Sequence, residues 1–193
     1  EESMEKEDPE AAGRALRRVL VLAPENEVAR SRLAYVCLGR GQCEEATRHL
    51  DRLVLRSDPN PLHLYQAAQV RHLWALQEGI DPARVEVLQQ EAIALLLRAI
   101  RLDPLNAEPL LLLARLHHHR DEHDQALAWI EKAVAADGVV DFQDFEALHL
   151  ACLIHLERED PAGFKQTLQR IEGLSGEADS LRYVGWHFAK PAL

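Results

Sequence analysis

At 193 residues, 47% hydrophobic and 28% charged, the chain has the length and composition of one soluble domain with a substantial core. Its formal charge of −10 argues against nucleic acid, whose affinity comes mainly from Lys and Arg neutralising phosphates, and equally against insertion at an anionic membrane surface. Three cysteines, an odd number in a chain rich in Ala and Leu, do not make a disulfide framework, and no apolar run approaches the ~20 residues that a membrane helix needs.

In chain order, Glu1 to Asp8 is an acidic strip with no apolar centre, unlike a signal peptide. Pro9 leads a helix from about Glu10 to Leu22. The spacing next predicts a helix near Glu27–Gly39 and a second near Glu44–Arg56, then a restart at Asn60 and Pro61. Two longer helices follow, about Pro61–Gln77 and Pro82–Arg101, joined by Glu78-Gly79-Ile80-Asp81. Asp81 before Pro82 is a capping carboxylate ahead of a proline placed where no N–H is needed.

From Ala107 to Gly138 the chain shows its unit most plainly. Leu110, Leu113, Ala114 and His117 share one face of a first helix; Arg120 to Asp124 break the pattern with charge; Leu127, Ile130, Ala133 and Val134 resume it on a second helix. A turn of about five residues makes the two helices antiparallel neighbours. A looser pair follows, Phe145–Glu157 and a helix starting at Asp160 and Pro161 that carries Phe164, Leu168 and Ile171. A last helix, about Glu177–Phe188, places Leu181, Val184 and Phe188 on one face, as a cap over the exposed end of a stack.

The unit repeats. Ala12, Ala46, Ala92 and Ala126 stand 34, 46 and 34 residues apart. Four residues after each comes Leu16, Leu50, Leu96 or Ile130, and three further on Val19, Leu53, Ala99 or Ala133. The helices then run out at Pro24, at Asp58 and Pro59, at Pro104, and at Gly138, because proline and glycine stop helices. The first-helix half repeats as Leu33-Ala34, Ala67-Ala68 and Leu113-Ala114. The 46-residue interval holds 12 extra residues. Shared between two helices, they lengthen the hairpin by ~9 Å at 1.5 Å per residue. Trp74, Leu76 and Val85 then either form a second docking surface or pack against one another inside the longer hairpin.

With these columns the chain resembles the tetratricopeptide repeat family, whose repeat is 34 residues of helix, turn and helix. The family's pattern of a large residue beside a small one, an aromatic, a turn Gly, then Ala, aromatic, Ala and Pro falls on Leu33, Ala34, Cys37, Gly41, Ala46, Leu50, Leu53 and Asp58. The aromatic places are mostly Leu, Ile, Cys or His, and the early Trp is absent. The resemblance covers nearly the whole chain. It implies an all-α superhelical solenoid of antiparallel helix pairs, forming one domain over residues 1–193. Its units are about 1–26 (partial), 27–60, 61–106 with the insertion, 107–144 and 145–176, followed by the capping helix in 177–193.

The family's function is protein–protein interaction, with first helices lining a concave face that takes a peptide. Carried over position by position, the lining is Val28, Ser31, Tyr35 and Leu38; Leu62, Tyr65, Gln69 and His72; Glu108, Leu111, Arg115 and His118; and Glu146, His149, Leu153 and Leu156. Of these, Tyr35, Leu62, Tyr65, Gln69, His72, Leu111, Arg115, His118 and His149 are the expected peptide-groove residues. Ser31, Tyr35, Gln69, Glu108 and Leu112 stand where chaperone-tail binders of the family keep their carboxylate clamp, so that specialised role is not expected. The partner is a protein or peptide, with a neutral or basic segment favoured by the charge; self-association into a homo-oligomer is the rival reading, and a regulatory arm of a larger enzyme another.

No chemistry competes with this. His117, His118, His119 and His123 with Asp121 resemble a metal-binding tract, but consecutive helical residues point about 100° apart and cannot all face one ion, so no metal or other cofactor is expected. There is no His-Glu-x-x-His pattern, no glycine-rich phosphate loop and no Gly-x-Ser-x-Gly elbow, and Ser and Thr are few, so the chain does not read as an enzyme. Cys37 and Cys152 sit at packing positions and Cys43 in a turn. If Ala12 is the twentieth position of its repeat, Glu1 is the ninth, and the sequence reads as a piece of a longer protein; a cytoplasmic location is the default expectation.

Overall fold

The computed structural model describes residues 9–136 and 142–174, and all nine regular elements among them are α-helices. They are α1 (Pro9–Leu22), α2 (Glu27–Gly39), α3 (Cys43–Val54), α4 (Pro61–Ala75), α5 (Pro82–Leu102), α6 (Ala107–His118), α7 (His123–Val134), α8 (Phe142–Glu157) and α9 (Pro161–Leu174). The chain divides between Asp103 and Pro104 into two compact units. In the first, α1 packs on α2, α2 pairs with α3, and α4 pairs with α5; in the second, α6 pairs with α7 and α8 with α9. The acidic strip Glu1–Asp8 and the capping helix expected in 177–193 lie outside the described residues.

Three hairpins start with a cap written in the sequence, and two second helices carry one as well. Asn26, Asn60 and Asn106 present side-chain oxygens to the backbone N–H groups of Ala29, Leu62 and Glu108 at 2.9, 2.8 and 3.0 Å, opening α2, α4 and α6. Asp81 does the same for Ala83 at 3.1 Å and Asp160 for Gly163 at 3.0 Å, opening α5 and α9. Such caps satisfy N–H groups that have no partner within the helix, each contributing about 1 kcal/mol.

The turns repeat as well. Gln42, Glu122 and Asp160 each donate a backbone N–H to the carbonyl five residues earlier, on Cys37, His117 and His155, at 2.9 Å in all three. The residue before each donor turns left-handed: Gly41 at φ 74°, Asp121 at 57° and Glu159 at 52°. This closes the first helix of a hairpin and reverses the chain in three or four residues.

Packing follows the small-residue columns. Ala46, Ala92 and Ala126 are fully buried, as are Leu50, Leu96 and Ile130 four residues on. In the first helices the neighbouring pairs Leu33-Ala34, Ala67-Ala68 and Leu113-Ala114 are buried alike. Alanine lets helix backbones approach, while each buried Leu or Ile contributes ~1.5–3 kcal/mol through the apolar area removed from water. In the second unit Leu148, Cys152 and Ile171 form a core against which Val134, Phe145, Phe164 and Leu174 pack.

Two features depart from the periodic reading. Ala12 and Val19 are exposed, and the buried residue of α1 is Gly13, whose α-carbon faces Val36 of α2. The reason is that among the described residues α1 packs mainly on α2, with an ion pair from Arg17 to Glu45 reaching α3, so the face that α3 buries within its own hairpin stays open on α1. Second, the insertion is not shared equally. Helix α4 has 15 residues against 13 for α2, whereas α5 has 21 against 12 for α3. Helix α4 stops at Ala75, two residues before the expected Gln77, Gly79 turns left-handed at φ 80° within the link, and the Asp81-Pro82 start launches a long α5. Across this hairpin the Arg84 guanidinium lies 4.8 Å from the centre of the half-buried Trp74 ring, while Leu76 remains 50% exposed. Helix α8 also begins three residues before the expected Phe145.

Candidate functional site: the first-helix faces

In the first unit, α2 and α4 lie side by side through their polar lining positions. The Tyr35 hydroxyl donates to Gln69 Oε1 at 2.7 Å, and the Ser31 hydroxyl to Gln66 Oε1 at 2.7 Å. Tyr65 is half-buried beside them, and Leu62 and Val28 are exposed. His72 is buried, at 6% exposure, and presents little to a ligand. Repeat position gives the face of a helix but not the depth of a residue on it: His72 lies near the end of α4, beside the buried Arg71.

In the second unit α6 and α8 enclose a cleft of about 320 Å³, lined by Arg115, His118, His119, Glu146, His149, Leu150 and Leu153. Arg115 reaches across it to Glu146 Oε2 at 3.0 Å, and His118 Nε2 meets Glu157 Oε2 at 2.8 Å. The structure therefore brings Arg115, His118 and His149 together as expected lining residues, and His119 and Leu150 line the cleft as well. Leu150 does not occupy one of the four lining positions of its repeat, so its signal in the sequence was weak. Leu111 is buried, at 5% exposure, and belongs to the core rather than the wall of the cleft. Burial pushes the His119 imidazole below its usual range, and the neighbouring His118 and Arg115 charges push the same way.

Two histidines at equivalent places act on the turns instead. His117 Nδ1 meets Glu122 Oε2 at 2.6 Å, and His155 Nδ1 meets Asp160 Oδ2 at 2.9 Å, each pair spanning the same five-residue turn. The hydrogen bond from His117 holds the Glu122 carboxyl below its ordinary range, with Arg120 adding to it. Asp160 is likewise held down, first by the Gly163 N–H and also by His155.

Two groups of metal-ligand type occur among the described residues: Cys37, Glu45 and His49, and His118, His123 and Glu157, each with donor atoms within 4.8 Å of one another. In the first group Glu45 is engaged by Arg17 at 3.0 Å, and burial raises the Cys37 thiol, with Glu45 adding to it. Cys43 is also raised by burial, and burial alone pushes Cys152 up to about 11, so these thiols stay protonated and are poor nucleophiles. No described helix is long and apolar enough to cross a membrane.

By sequence, two family models, both for the tetratricopeptide repeat, match residues 3–70 and 90–139, together more than half of the chain. A search of curated proteins finds no match. By structure the chain is similar to MamA, with 22% identity and a TM-score of 0.67 over 88% of this chain and 92% of that one. It is similar also to TTC0263, a thermophilic TPR protein of Thermus thermophilus (20% identity, TM-score 0.69, 93% and 91% covered). A third is PilW, a type IV pilus biogenesis factor (15% identity, TM-score 0.69, 91% and 74% covered). At such identities the likeness is one of fold. With the repeated columns, caps and turns, the sequence matches make the chain a member of the tetratricopeptide repeat family.

Proposed function

We propose that this chain is a protein-interaction module that seats a peptide segment of its partner against the first helices, chiefly in the α6–α8 cleft. The observation that carries the reading is the mixed lining of that cleft, where Arg115, Glu146 and three histidines stand beside Leu150 and Leu153. Peptide recognition needs both kinds of group: polar side chains to meet backbone amides and carbonyls, and apolar ones to bury an anchor. The Arg115–Glu146 pair is 41% and 34% exposed, and ion pairs of that kind are held by only ~0–1 kcal/mol, so both ends can turn to a ligand. One buried Leu-sized anchor supplies ~1.5–3 kcal/mol, and a few together give micromolar affinity.

The charge of −10 favours a neutral or basic segment and disfavours nucleic acid. The reading includes no catalysis, and a cytoplasmic setting suits three unpaired thiols. The test compares partners captured by the unaltered chain with those captured by Arg115→Ala and Tyr65→Ala, after circular dichroism shows both variants helical. Selective loss of the same partners from Arg115→Ala is the expected result. Retention of every partner by both variants would sink it.

Exposed Val21 and Leu22 of α1, at 79% and 87%, favour a second reading, self-association through that helix. Light scattering across concentration separates the two, because a stable dimer abolished by Leu22→Asp supports self-association.

A further inference from the structure

We propose that His118, His123 and Glu157 bind one divalent cation of the zinc type where three helix ends of the second unit meet. His118 is the last residue of α6, His123 the first of α7 and Glu157 the last of α8. One donor atom from each lies within 4.8 Å of the other two. The His118 and His123 rings stand 5.9 Å apart, tilted by 42°, and His118 Nε2 is 2.8 Å from Glu157 Oε2. A tetrahedral zinc takes imidazole nitrogen and carboxylate oxygen at about 2.0–2.2 Å, which sets its ligand atoms about 3.4 Å apart. The observed spacings bracket that value. The Glu157 side chain is 50% exposed, so it can swing the small distance required.

A second observation points the same way. His123 Nδ1 is buried with no hydrogen-bond partner among the described residues. A ring nitrogen withdrawn from water without a partner is unfavourable, and nothing among the described residues holds the His123 ring in its present orientation through Nδ1, so the ring is available to a cation. Most acidic groups around the site already hold a cationic partner, and His119 stands near Glu157 as a further titratable neighbour. Glu122 is taken by His117 and Arg120, Asp124 by Arg158, and Glu146 by Arg115, whereas among the described residues Glu157 is paired with His118 alone. Two imidazoles and one carboxylate are a ligand set that suits zinc, and they leave a fourth position for water or for a donor from a bound peptide.

The objection that neighbouring histidines on a helix diverge does not apply, because the three ligands come from three helices. The ion would fasten the ends of α6, α7 and α8 beside the cleft that His118 lines. The inference does not depend on peptide binding there and stands if the cleft binds nothing.

The test is titration calorimetry of the tag-free chain with Zn2+, repeated with Co2+ for its visible absorption bands, together with thermal melts. One ion per chain is expected, with a raised Tm and tetrahedral Co2+ bands. His123→Gln and Glu157→Gln should each weaken binding by about tenfold or more, and His49→Gln should not change it. Glu157 is exposed enough that its substitution leaves the fold intact. The proposal is overturned by failure of the unaltered chain to bind Zn2+ at micromolar concentration, by binding that survives both Gln variants, or by binding lost with His49→Gln.

Discussion

Asp121 and Glu159 hold the left-handed backbone that Gly41 holds in the first complete hairpin. A β-carbon in that conformation costs about 1–2 kcal/mol, against which glycine loses about 0.5–1 kcal/mol through unfolded-chain entropy. Glu159→Gly should therefore raise stability by about 0.5–1 kcal/mol, seen as a higher urea midpoint at unchanged m-value. A lower midpoint would mean that the Glu159 side chain contributes more than its backbone costs. The same turns carry a pH dependence. In the folded chain Glu122 holds its proton less tightly than the ordinary value of 4.5, so on acidification the unfolded chain takes up a proton first. That contribution is complete above 4.5 and is lost as pH falls through the lower, folded value. Glu122→Gln should flatten the acid side of a stability–pH curve without altering its slope above about pH 6; an unchanged acid limb would show that the pair with His117 does not matter to folding.

Between elements, Arg71 joins three helices of the first unit. Its side chain is 8% exposed, donates to Asp51 Oδ1 of α3 at 2.7 Å and to Glu91 Oε2 of α5 at 2.8 Å, and also reaches the Ala67 carbonyl of its own α4 at 3.2 Å. Breaking a buried pair costs about 3–5 kcal/mol, but Asp51 and Glu91 are 35% and 43% exposed and can return to water, so Arg71→Ala should cost about 2 kcal/mol by urea unfolding. A loss below about 0.5 kcal/mol would make the triad incidental. Helix positions and small-residue columns were legible in the sequence because close helix approach demands Ala at fixed intervals. The Asn26, Asn60 and Asn106 caps repeat at the same intervals, a signal as regular as the alanines and read only at Asn60. What periodicity did not give was the burial of Gly13 instead of Ala12, or the unequal lengths of α4 and α5. The first depends on which neighbours a helix has, and the second on where a turn breaks.

At the scale of the whole molecule, the repeated register is what makes the first-helix lining readable at all. It picked out Arg115, His118 and His149, which do line one cleft, and Tyr35 with Gln69, which do meet. It also picked out His72 and Leu111, which lie buried, because burial depends on tertiary cover. It could not foresee His118 against Glu157, 39 residues away on another helix. The central claim is that a partner's peptide lies on first helices. Amide hydrogen exchange of the chain, free and saturated with a captured partner, tests it most directly. Slowed exchange concentrated in α6 and α8 is predicted, with α7 and α9 little changed; protection confined to α7, α9 or the long α5, with α6 and α8 unaffected, would contradict it.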